Sequence, residues 1–393
     1  MKKWYNIDNQ SKGEYTMSID QNKEIKVSVI MPVYNAGEYL SHAIGDVLMQ
    51  SLYDIELILV DDGSTDDSSE IIDGFMARDG RVSAIRQSNA GPSVARNKGL
   101  EIATGKYIIF LDADDRYEPT YLESLYNLAE QHNLDVAIGS FDIYDESHNK
   151  FTPAAEDSYG SIFADGKVTS KNEHPEAILG SASGYVWNKL LLASFLRDKK
   201  IAFDPDLYVF EDVHFSCSVM ALAERAARVD EILLHHRVYS DQSRATLFRK
   251  YYGQVPVVYQ KIKEFLMQRG MYIPLKKGYL NFSAGRCYKI YNLLWAGGKE
   301  RMWDMLHYKY VAELDWLHND KDDFDSLDVY EFVSNTALYG YGEYIERFEM
   351  GKNIDVGQLD KEQMAKKVIA KKKGEFRRAA WNKLMRIFKI KKK

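Results

Sequence analysis

The stretch Tyr107-Ile108-Ile109-Phe110-Leu111-Asp112-Ala113-Asp114-Asp115 decides the fold. Five consecutive apolar residues give way at once to three carboxylates in four positions. A short uninterrupted apolar run bounded by polar residues fits a strand buried on both faces. Such strands belong to parallel sheets covered by helices on each side. The acidic residues then fall beyond the carboxyl end of the strand, where open α/β sheets bind their ligands.

Working outward, two upstream runs have the same shape. Val27-Ser28-Val29-Ile30-Met31 closes at Pro32-Val33-Tyr34 and precedes a helical pattern from Glu38 to about Gln50. Glu56-Leu57-Ile58-Leu59-Val60 stops at Asp61-Asp62-Gly63-Ser64, ahead of a helix from about Asp66 to Ala77. A strand at Val82–Gln87 and a helix at Ser93–Ala103 lead into the 107–111 strand, and the next helix begins near Pro119. The three strongest strands thus deliver polar groups to one sheet edge. From about 140 to 245 the pattern loosens, with a polar stretch at 145–175, a helix near 211–225 and a strand near 228–238. Beyond 246 aromatics such as Tyr288, Tyr291 and Trp295 recur at helical spacing and no strand pattern is present. The expected organisation is a polar leader at 1–25, an α/β domain at 26–245, a helical appendage at 246–360 and a basic tail at 361–393. No internal repeat is visible.

The 393 residues suffice for a large domain plus an appendage. Two cysteines, Cys217 and Cys287, exclude a disulfide framework and a Cys-x-x-Cys metal pair, which points to a reducing cytoplasm. The start Met1-Lys2-Lys3-Trp4-Tyr5 lacks the apolar run of a secretory signal. No run of about 18 apolar residues offers a spanning helix, so a soluble or peripheral protein is expected. Charge is segregated: 361–393 hold fourteen basic and two acidic residues, so a +12 tail is joined to a −18 body within a net charge of −6. In the tail Trp381, Leu384, Met385 and Phe388 follow i, i+3, i+4, i+7 among Arg377, Arg378, Lys383, Arg386 and Lys389. Residues 374–393 are therefore expected to lie on an anionic membrane surface, at the inner face of the cell membrane. The competing reading packs this helix on the acidic body. A nucleic-acid partner is not expected, because the body repels the same polyanion.

Each polar segment has a chemical and a structural reading. The cluster Asp112-Ala113-Asp114-Asp115 offers hard oxygen ligands for Mg²⁺ or Mn²⁺ beside substrate phosphates, or else caps the next helix. Asp62 can accept the imide N–H of a uracil ring, or close an Asx-turn with Gly63. Asn89-Ala90-Gly91-Pro92-Ser93-Val94-Ala95-Arg96-Asn97 leads a loop into a helix N-terminus with a guanidinium beyond it, suited to a phosphate or sugar hydroxyl, or simply a capped helix. Glu211 and Asp212 open a helix as dipole partners or as a general base. His236 and Arg237 either meet a diphosphate or flank a strand structurally. The aromatics Tyr251, Tyr252, Tyr259, Tyr288, Tyr291, Trp295 and Trp303 either stack on sugar rings or form core, and no site is assigned to them.

Together these segments resemble the family-2 glycosyltransferases with the GT-A fold, a Rossmann-like, mainly parallel sheet with helices on both faces. The residues that carry the resemblance are Val29-Ile30-Met31-Pro32-Val33-Tyr34-Asn35-Ala36, Leu59-Val60-Asp61-Asp62-Gly63-Ser64-Thr65-Asp66, the 89–97 segment and Phe110-Leu111-Asp112-Ala113-Asp114-Asp115, in the family's order and spacing. Trp187-Asn188-Lys189-Leu190 and Glu211-Asp212 look like its later landmarks, so the resemblance covers about 26–245 and not the appendage. It implies that Pro32, Tyr34 and Glu38 border the nucleoside, that Asp62 reads the base, and that Asn89 and Arg96 lie near the base and diphosphate. Asp112, with Ala113, would meet the ribose, Trp187 would border the donor, and Asp114 with Asp115 would hold Mn²⁺ or Mg²⁺. Asp212, with Glu211 beside it, would be the base.

The activity implied is inverting transfer of a sugar from a UDP-sugar to a glycan or lipid-linked acceptor in bacterial surface polysaccharide synthesis. With an ordinary carboxylate pKa of about 4, Asp212 would be ionised and weakly basic at neutral pH. One rival, a sugar nucleotidyltransferase, wants a glycine- and lysine-rich loop after the first strand, and Val33-Tyr34-Asn35-Ala36-Gly37-Glu38 is not one. The other is a non-catalytic sugar- or lipid-surface-binding protein, against which Asp114 and Asp212 argue.

Overall fold

A computed structural model describes residues 24–154, 162–163, 166–181, 184–238, 250–317 and 319–349. The basic tail and all but the end of the leader lie outside the described residues. The first half alternates as its sequence pattern predicts: β1 (Val27–Val33), α1 (Gly37–Leu48), β2 (Ile55–Asp61), α2 (Ser68–Met76), β3 (Val82–Arg86), α3 (Pro92–Ile102), β4 (Tyr107–Phe110). A short β5 (Arg116–Tyr117) and α4 (Tyr121–His132) follow. Then come β6 (Val136–Asp145), β7 (Lys150–Pro153), α5 (Ile178–Ser181), β8 (Lys189–Leu192), α6 (Ala193–Asp198), α7 (Glu211–Leu222) and β9 (Ala226–Val238).

The nine strands among the described residues form one sheet in the order β3-β2-β1-β4-β8-β6-β9-β5, with β7 on β6. β1 pairs in parallel with both β2 and β4, and β2 with β3. β8 then enters antiparallel between β4 and β6, and β9 runs parallel to β6. Strand periodicity sorts β1 onto two cores. Val27, Val29, Met31 and Val33 face one, while Ile30 joins Ile58, Val60, Ile108 and Phe110 in the other. Full burial of each such side chain contributes about 1.5–3 kcal/mol before entropy is counted. α3 lies close on the second face, since a Cβ at Gly99 would sit 2.4 Å from Ile30 Cγ2.

The C-terminal region is helical as expected: α8 (Gln254–Gln268), α9 (Tyr272–Leu293), α10 (Ala296–Met305) and α11 (Leu327–Leu338) are its main helices. Its apolar residues, from Val255 to Val333, belong to the same core as Ile30 and α7, so the appendage covers one face of the sheet domain. α9 presses on the segment before α5, where a Cβ at Gly278 would lie 2.7 Å from the Glu176 carbonyl. Tyr259, Tyr291 and Trp303 are buried there, and the Trp303 indole donates to the Tyr339 carbonyl at 2.9 Å. These rings are core, whereas Trp295 stays partly exposed. No described helix is long and apolar enough to cross a membrane.

Candidate active site

The edge beyond β1 and β2 is laced by side chains. Asn35, at φ 50°, accepts the Thr65 N–H at 2.8 Å, and Asp66 accepts the Gly37 N–H at 2.9 Å. Asp61 closes the turn by accepting the Ser64 N–H at 2.9 Å and the Ser69 hydroxyl at 2.5 Å. Asp62, the expected reader of a base, is buried and spends its carboxylate on the next loop. Its oxygens accept Gln87 Nε2 at 2.7 Å and the Ala90 and Gly91 N–H groups at 2.8 Å each. Asp62 is thus a fastening between the β2 turn and the entry to α3. Gly63 makes this possible, at φ 79° with a Cβ position only 2.9 Å from the Asn89 nitrogen. Around this floor Tyr34, Glu38 and Asn89 are exposed and Pro32 is half-buried, which leaves an open surface between the first and third loops.

Alternation sorts the acidic loop. Asp112 and Asp114 are partly accessible, whereas Ala113 and Asp115 are buried. Asp115, expected to share a metal with Asp114, is 1% exposed and committed to β9: it accepts the Arg237 N–H at 2.9 Å and lies 3.0 Å from His236 Nδ1. Burial opposes a charge on His236, but Asp115, with Asp112 and Asp114 behind it, outweighs burial and raises the imidazole's pKa. Arg237 is also structural, with Nε donating to the Asp114 carbonyl at 2.7 Å and the guanidinium 4.5 Å from the Tyr39 ring. Trp187, expected at the donor, is buried in the wall and stacked against Tyr185, at 4.6 Å, and His236, at 4.9 Å.

Arg96 joins the acidic loop to α7. Only 6% exposed, it donates to Glu211 Oε1 at 2.7 Å and to Asp112 Oδ1 at 3.2 Å, with the Phe203 ring 5.3 Å below. Phe210 precedes α7 at φ 59°, a costly conformation for a bulky residue, and it sets the first turn against the acidic loop. Asp212 follows, half-buried, accepting the Val213 N–H at 2.8 Å. Burial and then Glu211 push its carboxyl up to about 7, against the pull of Arg96. The expectation of an ordinary carboxylate therefore fails, because a desolvated acid beside another acid resists ionisation. Burial also lifts Asp112, to about 6, with Asp115 and Asp114 adding to it and Arg96 opposing.

Lys189, within a quoted motif but given no role from sequence, is fully buried beside this turn. Its ammonium donates to the Tyr185 carbonyl and, at 2.9 Å, to Asn188 Oδ1. Burial pulls it down to about 7, with Asp212 pulling it back. A strand of four residues that opens on a lysine carries no sequence signal of such a position. The edge thus assembles a carboxylate held near neutrality, an acidic loop and a bridging guanidinium, an arrangement suited to moving a hydroxyl proton next to a phosphate-bearing ligand.

The family model described as "Glycosyl transferase family 2" matches residues 28–226, which include the first three loops, the acidic loop, Lys189, Glu211 and Asp212. The chain belongs to glycosyl transferase family 2. Family membership makes it a transferase enzyme that moves sugars. It is 44% identical over 216 residues to Glycosyltransferase GlyG of Streptococcus pneumoniae serotype 4, covering 54% of this chain and 64% of that protein. It is 34% identical over 210 residues to the Cholesterol galactosyltransferase of Borreliella burgdorferi, covering 52% and 58%. The chain thus spans less than two thirds of these curated relatives. Among solved structures, S. aureus TarS 1–349 in complex with UDP-GlcNAc superposes with a TM-score of 0.51 at 19% identity, over 85% of this chain and 96% of that one. The likeness shows a shared GT-A-type fold that extends through the helical region.

The family's acidic loop has the chemistry of a divalent-cation site. Among the described residues no three His, Cys, Asp or Glu side chains form a metal cage. A Mg²⁺-type ion bound largely through substrate phosphates needs only one or two carboxylates. Asp112 and Asp114 are the two carboxylates on the accessible side of the loop.

Proposed function

We propose that this glycosyltransferase transfers a sugar from a UDP-sugar to a hydroxyl of a glycan or lipid-linked acceptor in bacterial surface polysaccharide synthesis, by a single inverting displacement. The carrying observation is the Arg96 bridge, which draws Asp112 of the acidic loop and Glu211 of α7 to one guanidinium and sets Asp212 beside them. The nucleoside lies against the open surface of Pro32, Tyr34, Glu38 and Asn89, over the floor that Asp62 fastens. TarS, with the same fold, is seen with UDP and with UDP-GlcNAc, which supports a UDP-linked donor. Asp112 borders the ribose. Asp114 would hold Mn²⁺ or Mg²⁺ together with the donor's phosphates, and the ion would supply charge neutralisation for the departing diphosphate. Asp115, His236 and Arg237 hold that loop in place.

Asp212 takes the proton of the acceptor hydroxyl. The oxygen forms its bond to the anomeric carbon from the face opposite the diphosphate, the carbon–phosphate-oxygen bond breaks, and its electron pair leaves on UDP. One displacement inverts the anomeric centre. A base held near neutrality is better matched to a hydroxyl at pH 7 than an ordinary carboxylate.

The test compares Asp212→Asn with Asp114→Asn. Asp212→Asn keeps metal-dependent UDP binding while transfer falls by at least about 10²-fold, the scale of a lost general base. Asp114→Asn loses the Mn²⁺ or Mg²⁺ dependence of UDP binding. Near-normal turnover in Asp212→Asn, or metal-dependent UDP binding untouched in Asp114→Asn, would sink the respective assignment.

A further inference from the structure

The chain reaches Asp212 through a loop that first climbs α3. At its start Asn97 accepts the Phe203 N–H and donates to the Phe203 carbonyl, at 2.9 Å each. One turn nearer the helix N-terminus the Ser93 hydroxyl donates to the carbonyl of buried Leu207 at 2.9 Å. The next residue, Tyr208, meets Gly91, which precedes α3. Phe210 then turns the chain, and Glu211 descends to Arg96. From the helical region Lys261 of α8 holds Asp204 at 2.6 Å. Tyr208 is therefore the apex of a loop pinned on both flanks, beside the loop that follows β3 at the ligand-bearing edge of the sheet.

The apex ring is 56% exposed, and its posture is defined. A Cβ at Gly91 would lie 3.0 Å from both Cδ2 and Cε2 of Tyr208, with no other ring atom within 4 Å. A ring lying flat against Gly91 would bring Cγ and Cζ within that distance as well, so the ring stands on edge and its faces are turned aside. Only a glycine, at φ 90° and without a side chain, gives the ring this seat. Among the described residues no ring stacks on Tyr208 and no side chain takes its hydroxyl. Single exposed aromatics are common. This one differs in its place: it rests on the loop whose Ala90 and Gly91 N–H groups Asp62 holds, and it stands four positions before Asp212. A rigidly presented apolar face thus lies at the rim between the nucleotide floor and the base.

We propose that Tyr208 is the platform for the acceptor, taking the C–H face of its terminal sugar ring. A pyranose carries hydroxyls around its edge and C–H groups on its faces, so a flat apolar ring matches a face while the hydroxyls stay in water or reach Asp212. Tyrosine has few torsions to freeze, and contact area is gained at small entropic cost. The acceptor class is thereby narrowed to a glycan ending in a pyranose, because a bare lipid alcohol or phosphate presents no such face. The assignment rests on the proposed function, which lays the nucleotide over the floor beside Asn89 and makes Asp212 the base.

The test uses the full chain, with and without saturating UDP and Mg²⁺, and takes methyl β-glucopyranoside and methyl N-acetyl-β-glucosaminide as probes, read by saturation-transfer NMR. In the UDP-filled wild type at least one glycoside should bind saturably, with the C–H protons of one ring face receiving most of the transfer. Tyr208→Ala and Tyr208→Leu should weaken that binding at least about fivefold, the scale of a lost ring contact, while Tyr208→Phe and Tyr208→Trp keep it within about threefold. UDP affinity should change by less than about twofold in all four. Equal glycoside binding in wild type and Tyr208→Leu, or no saturable binding to the UDP-filled wild type, overturns the proposal. A loss in Tyr208→Phe as large as in Tyr208→Ala also overturns it, since the hydroxyl and not the face then makes the contact. An equal loss of UDP and glycoside in Tyr208→Ala overturns it too, making the ring a brace for the 89–91 loop. Failure of UDP to bind wild type refutes the donor assignment instead, and glycoside binding to the unliganded chain still reads Tyr208.

Discussion

Replacing Glu211 by Gln tests whether the unusual state of Asp212 is built by its neighbour. Glu211 is the largest charged contributor that raises Asp212, and at 2.7 Å it also occupies the Arg96 guanidinium. Removing its charge acts twice in one direction, taking away a like charge and freeing Arg96 to favour the Asp212 carboxylate. Unit charges about 6–8 Å apart interact by about 2–3 kcal/mol at an effective dielectric constant near 20, which is roughly two pH units. Asp212 is partly accessible, so solvent screening reduces this to about one pH unit. The assay is UDP release from the donor as kcat/KM against pH, which reports the free enzyme. Activity should rise with pH as Asp212 ionises, with an acid limb centred near 7 in the wild type. In Glu211→Gln the limb moves about one pH unit lower, so at pH 5.5 the rate relative to each enzyme's own plateau increases roughly eightfold. A limb that stays in place or moves upward refutes the coupling, and a wild-type limb near 4 refutes the raised base itself.

Two other expectations are independent of that titration. Gly63→Ala puts a Cβ 2.9 Å from the Asn89 nitrogen at φ 79°, so urea unfolding should show a loss of about 2–4 kcal/mol together with weaker UDP binding; a loss under about 0.5 kcal/mol would contradict the close approach. Removing residues 374–393 should release the protein from anionic liposomes, as sedimentation would show, and unchanged binding would refute membrane attachment through the basic tail.

What was legible in the sequence is local. The runs ending at Met31, Val60 and Leu111 read as strands because each is a short, almost unbroken apolar stretch between polar stops, too short for a buried helix, and their parallel pairing follows from the helices between them. The grouping of Asp62, Arg96 and the acidic loop at one edge follows in turn. What sequence left open depends on partners far along the chain. Asp114 and Asp115 are adjacent carboxylates with nothing between them in composition, and the Arg237 N–H, 122 positions on, buries one and leaves the other accessible. Arg96 finds Glu211 across 115 positions, and Trp187 joins the wall by stacking on Tyr185 and His236. β8 escaped notice because four residues opening on Lys189 match neither a strand nor a helix pattern, yet this short antiparallel strand carries the buried ammonium.

The same long-range packing explains why the site carries more negative charge than its own cations balance. Arg96 meets Asp112 and Glu211 at once, and Asp212 lies next to both, so one guanidinium serves three carboxyls. A fold selected for stability alone would replace such a group with apolar side chains, because burying excess charge is unfavourable. Asp112 and Asp212 are both displaced upward, first by burial and then by neighbouring carboxylates. An added cation at Asp114 would relieve the acidic loop, whereas Asp212, across the Arg96 bridge, would keep much of its displacement. The arrangement therefore separates two tasks that both require carboxylates: charge on the loop is stabilised when donor and cation arrive, while the carboxylate of α7 retains the proton affinity that a base for a hydroxyl requires.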